Sequence, residues 1–141
     1  MDTSAAPAIS DILIQAPELL NRRVKQEKWR RSCVHFVREA VKIEDKDLAL
    51  RGDDSDIVMP FDLWPAQEDL LQKLVHTRLT IILKARQLGI TWLVLSYALW
   101  RMMHHAGYTV VGISRTEEEA KELVRRLEFM LRHLPRWFCR E

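Results

Sequence analysis

Two kinds of hydrophobic pattern divide this chain. Between residues 22 and 41, Trp29, Cys33, Phe36, Val37 and Val41 recur at spacings of three and four, which predicts an amphipathic helix. A shorter helix is expected before it over residues 11–20, capped by Ser10 or Asp11 and carrying Ile12, Leu13, Leu19 and Leu20 on one side. Leu70, Leu71, Leu74 and Val75 give residues 66–76 a helical stripe, and Pro65 stands where a helix begins comfortably. The other pattern is the short, unbroken apolar run. Ile81, Ile82 and Leu83 predict a strand buried on both faces, and YTVVGI at 108–113 predicts a second. A brief strand over 57–59 ends at Pro60, after a charged, turn-bearing stretch at 43–56.

Helical periodicity returns over 90–105, expected to bury Leu93, Val94, Tyr97, Ala98 and Trp100 and to stop near Gly107. A last helix opens at Thr116, which forms a capping box with Glu119, and buries Leu123, Leu127, Met130, Leu131 and Leu134. Pro135 and Trp137 mark its break. Helices alternating with strands predict an α/β fold with a parallel sheet and a right-handed crossover. An N-terminal helical segment (1–42) precedes that domain (43–141).

Composition changes this picture little. The 141 residues leave room for one domain, and 22 basic residues against 20 acidic ones give a net charge of only +2. Nucleic-acid binding would therefore need a local patch, for which Arg22, Arg23, Lys25, Lys28, Arg30 and Arg31 are the candidates; otherwise that run is a solvated helix face. Cys33 and Cys139 lack any metal or disulfide spacing and read as reduced thiols. The acidic clusters at 44–47 and 53–56 read as solvated loops, since the remaining ligand spacing of a calcium loop is missing. The adjacent His104 and His105 are expected at the surface or at a helix end, and most of the five tryptophans in core or interface packing. With neither a signal-peptide pattern nor an apolar run long enough for a membrane span, a cytoplasmic protein without membrane contact is expected.

Candidate chemistry sits at residues 80–92, TIILKARQLGITW. A strand, a cationic loop with a glycine and a helix opening on a threonine have the layout of a phosphate-binding P-loop. In that loop backbone amides cradle phosphate, a lysine neutralises it, and a hydroxyl holds magnesium. With Gly89 and Thr91 in the last glycine and hydroxyl positions, Ile90 takes the lysine slot and Lys84 the first glycine slot. The cation need only reach the phosphates, so Lys84 or Arg86 would serve. The candidate nucleotide-binding set is Lys84, Ala85, Arg86, Gln87, Leu88, Gly89, Ile90 and Thr91, with Thr91 as magnesium ligand.

FDLWPAQEDLL, then TIILKARQLGITWL, then YTVVGISRTEEEAKELVRRL resembles the N-terminal ATPase region of phage terminase large subunits, the DNA-packaging motors of tailed phages. The resemblance spans roughly residues 34–137. It implies a P-loop NTPase-type parallel sheet, with Trp64 and Gln67 matching the element that contacts adenine ahead of the loop. Lys84 would match the lysine displaced to the loop's start, and Ser114 to Ala120 the serine-led acidic helix start. It also implies ATP and Mg2+ as cofactors and double-stranded DNA as partner. A homo-oligomeric ring working with a terminase small subunit and a portal protein would follow in the full-length context. The hydrophobic run ending in an acidic pair, which such an ATPase needs to hold magnesium and activate water, does not follow Ile113. The coupling motif and nuclease domain are missing too. The expectation is therefore a fragment, split gene product or remnant with an incomplete sheet, binding nucleotide and hydrolysing it poorly if at all.

Two other readings compete. A helicase-like ATPase fragment would also carry a glutamine ahead of its loop, although Ile90 departs from that motif. A non-catalytic DNA-binding or assembly module would use its basic helices and keep the nucleotide loop as a vestige.

Overall fold

The computed structural model describes residues 9–44, 58–85 and 88–139, with side chains from residue 16 onward. Among these residues the elements run α1 (Ile9–Arg31), α2 (Cys33–Ala40), β1 (Lys42–Glu44), β2 (Val58–Pro60), α3 (Pro65–His76), α4 (Ile90–His104) and α5 (Glu117–Arg132).

The expected parallel sheet is not there. The sheet has two strands, β1 and β2, paired antiparallel with Lys42 opposite Pro60, Ile43 opposite Met59 and Glu44 opposite Val58. Residues 81–83 and 108–113 are extended but pair with no strand among the described residues. Their side chains overturn the expectation of burial on both faces: Ile81 is 90% exposed and Ile113 91%. An apolar, β-branched run states a preference for extended backbone, but a strand exists only where a second strand supplies the ladder. Among the described residues the fold is a helical assembly with a two-stranded antiparallel sheet, not the P-loop NTPase-type sheet expected.

The two N-terminal helices also differ from expectation. A single helix runs through Pro17 to Arg31, and the break falls at Ser32 instead. Ser32 is extended (φ −140°, ψ 110°), and its hydroxyl accepts the His35 amide to cap α2. A continuous helix would have used the Trp29 carbonyl to accept from Cys33. That carbonyl takes the Trp100 indole N–H instead, at 2.7 Å. One long-range hydrogen bond thus meets the helix where it ends.

The core forms where α4 packs against α2, α3 and α5, with α1 lying on α2. Trp92, Leu93, Leu99 and Trp100 of α4 meet Phe36 and Val37 of α2, Leu71 of α3, and Met130 with Leu134 from the end of α5. Val94 and Leu131, both expected inside, are exposed. Ser96 takes a place in the core, donating to the Trp92 carbonyl at 2.7 Å. His104 and His105, expected at the surface or at a helix end, do stand at the end of α4 but half-buried among Trp100, Phe36, Phe138 and Tyr108.

Candidate nucleotide site

The site begins at Gly89, the residue capping α4. Its φ of +66° is left-handed, which favours glycine, and a Cβ there would stand 3.1 Å from Gln67 Nε2 and press that amide aside by a few tenths of an ångström. Gly89 has no side chain to cap the helix, and the first turn of α4 contains no acidic residue. The first main-chain bond of the helix runs from the Leu93 amide to the Gly89 carbonyl, at 3.1 Å. The amides of Ile90, Thr91 and Trp92 have no acceptor among the described residues, as at an uncapped helix start. Three such donors, at the positive end of a helix dipole, favour an anion.

Gln67 holds this turn in place. Its Oε1 accepts from the Trp64 amide at 3.0 Å and its Nε2 donates to the Leu88 carbonyl at 2.9 Å. It is only 6% exposed. Both ends of its amide are thus committed: one stabilises the start of α3, the other ties the loop to it. Reading adenine, the role implied by the resemblance, would require those bonds to open. Trp64, beside it, is 60% exposed and offers an open ring face.

Of the other expected residues, Lys84 and Ala85 are exposed. Among the described residues Lys84 makes neither a hydrogen bond nor an ion pair. Arg86 and Gln87 lie outside the described residues. Leu88 is exposed and Ile90 half-buried, and the half-buried Thr91 hydroxyl makes no hydrogen bond among the described residues. Trp64, Gln67, Leu88 and Gly89 are therefore brought together at the head of α4, while Lys84 stands free on the approach.

After the second extended segment, Ser114 donates to Glu119 Oε2 at 2.8 Å, and Arg115 pairs with Glu119 Oε1 at 3.0 Å. These bonds hold the Glu119 carboxyl below its ordinary range, the Ser114 bond contributing most. Only half of the expected capping box forms. Thr116 Oγ1 accepts the Glu119 amide at 3.3 Å, but the carboxylate turns to Ser114 and Arg115 rather than back to Thr116.

Most basic side chains on α1 and α5 are paired. Arg22 meets Glu18; Arg30 and Arg31 share Glu27; Lys28 bonds Glu39. On α5, Arg125 and Arg126 share Glu122, and Arg132 meets Glu128. Such neutralised faces offer phosphates little.

Sequence reasoning did not foresee a cavity of about 450 Å3 where the α1–α2 break faces α3, lined by Arg31, His35, Glu68 and His76 among others. It contains none of the expected site residues, and nothing in the periodicity marks it, because it exists only where Ser32 interrupts the helix. No family model, curated protein or solved structure gives a significant match to this chain.

Proposed function

We propose that residues 84–91 bind the phosphates of ATP–Mg2+, in a protein resembling the N-terminal ATPase region of terminase large subunits. The observation that carries this reading is the head of α4: three unaccepted amides behind a left-handed Gly89, with no acidic side chain in the turn. The exposed ammonium of Lys84 supplies charge, the Thr91 hydroxyl, without a hydrogen bond among the described residues, is the magnesium ligand, and the exposed ring of Trp64 is the surface for the base. Gln67 acts by holding the loop. The reading extends to cytoplasmic action on double-stranded DNA, within a homo-oligomeric ring that engages a small subunit and a portal. With no acidic strand motif after Ile113, the chain by itself binds nucleotide without appreciable turnover.

Calorimetric titration with ATP and Mg2+ tests this. Lys84→Ala removes one charge-assisted bond and weakens binding by about 10- to 100-fold. Thr91→Ala removes the magnesium dependence of binding. Absence of binding at millimolar nucleotide, or affinity unchanged in Lys84→Ala, overturns the reading.

A further inference from the structure

Beyond the nucleotide site, the densest arrangement of titratable and aromatic groups surrounds His104. Its ring meets Phe36 at 5.2 Å and 84°, Phe138 at 5.5 Å and Trp100 at 5.9 Å between centroids. Phe138 belongs to the turn that follows α5, and the same turn stacks Trp137 on Trp29 at 5.4 Å. Phe36 of α2, Trp100 of α4 and Phe138 of the C-terminal turn thus close around one imidazole, and the turn rests in addition on Trp29 of α1.

The polar atoms of that imidazole are unequal. Nδ1 lies 3.0 Å from the Trp100 carbonyl, which requires the proton on Nδ1 and leaves Nε2 as a bare lone pair. Nε2 is fully enclosed and has no partner. Protonation at Nε2 would put a donor and a charge into an aromatic enclosure where, among the described residues, that atom has no hydrogen-bond partner. The groups facing it do not help. Arg30 of α1 and His105 of its own helix both disfavour added positive charge, and burial opposes it most strongly. The core region of α2 holds Phe36 and the Cys33 thiol, which burial pushes up to about 12 and so keeps neutral. The turn contributes Phe138.

We propose that His104 is a protonation-controlled latch: neutral, it holds the C-terminal aromatic turn against Trp29 and Phe36, and protonated, it releases that turn. Held at neutral pH, the turn covers the core between α1 and α4. Released, it uncovers Trp29 and frees Trp137 and Phe138 from the core.

The test is an NMR titration of the full chain from pH 7.5 to 5, following the His104 ring and the Trp137 indole N–H together. His104 should titrate below the 6.5 of free histidine. The protection of the Trp137 indole proton is the intrinsic base-catalysed exchange rate at each pH divided by the observed rate. It should fall as the pH drops from 6.5 through the His104 titration, by about tenfold for every pH unit by which His104 lies below that value. His104→Leu should keep the turn docked and abolish the pH dependence, whereas His105→Asn should leave it in place. The proposal fails if His104 titrates above 6.5, which would mean that the aromatic faces stabilise the cation. It fails equally if the Trp137 signal does not follow His104, or if its pH dependence survives in His104→Leu. Should His104→Leu not fold, the coincidence of the two wild-type curves decides.

Discussion

At the scale of single residues, Gly89 and Gln67 form one device. Gly89 supplies a left-handed turn and the space for Gln67 Nε2, and Gln67 supplies the bond that keeps Leu88 from swinging away. Gly89→Ala should therefore lower stability by about 1–2 kcal/mol from the left-handed backbone, with the crowded amide adding to it. Urea unfolding measures the loss, and an unchanged midpoint would mean the turn relaxes without cost. The same pair shows what was legible in the letters. A glycine just ahead of a helix marks a turn, and residue type alone supports that reading. The duty of Gln67 was not legible, because the carbonyl it holds lies 21 residues away. A glutamine in a sequence has four hydrogen-bonding possibilities, and only the packed structure shows which are spent.

At the scale of elements, helices over 66–76, 90–105 and 116 onward follow from spacing and end signals, and each stands within a residue or two of its expected bounds. Their caps are local, so Thr116 finds the Glu119 amide as its position suggests. The junction of α1 and α2 is different. Nothing in the periodicity of 22–41 breaks at Ser32; the break follows from Trp100 claiming the Trp29 carbonyl. Trp100→Phe removes that donor and leaves a buried acceptor unmet, with an expected loss of about 1–3 kcal/mol. Amide exchange at Cys33 and Val34 should slow if the freed carbonyl lets the helix close across Ser32. Exchange at those amides that stays as fast as in the parent would show that Ser32 alone sets the break.

At the scale of the whole molecule, ion pairs tie the layers together. Arg125 bonds Glu44 of β1 at 2.7 Å and Glu122 of its own helix at 2.7 Å, joining α5 to the hairpin. Arg38 meets Glu68 at 2.8 Å, joining α2 to α3. The guanidinium of Arg125, then that of Arg126, holds the Glu122 carboxyl down to about 2. A carboxyl depressed in the fold contributes stability that is present above its ordinary pKa near 4.5 and is lost as pH falls toward 2. The His104 contribution is also lost on acidification, but it begins to fall near 6.5. Thermal melts across pH should thus show two separate declines. Glu122→Gln should flatten only the lower one, and the partial exposure of the pair makes that effect modest and salt-sensitive. A lower decline unaltered in Glu122→Gln would assign it to other carboxyls.

The sequence by itself determined the helical stripes, the glycine turn before α4, the Thr116 cap and the concentration of cations on α1 and α5. Each depends on residues within about four positions of one another, where i to i+4 bonding and side-chain spacing operate. Tertiary structure alone decided the rest. Strand formation at 81–83 and 108–113 requires a partner supplied from elsewhere, and among the described residues that pairing is made only by β1 with β2. The neutralisation of Lys28 and Arg125 depends on Glu39 and Glu44, and the burial of His104 on a turn more than thirty residues away. Apolar character sets what a segment prefers to bury; which surface covers it is settled by contacts distant in the chain.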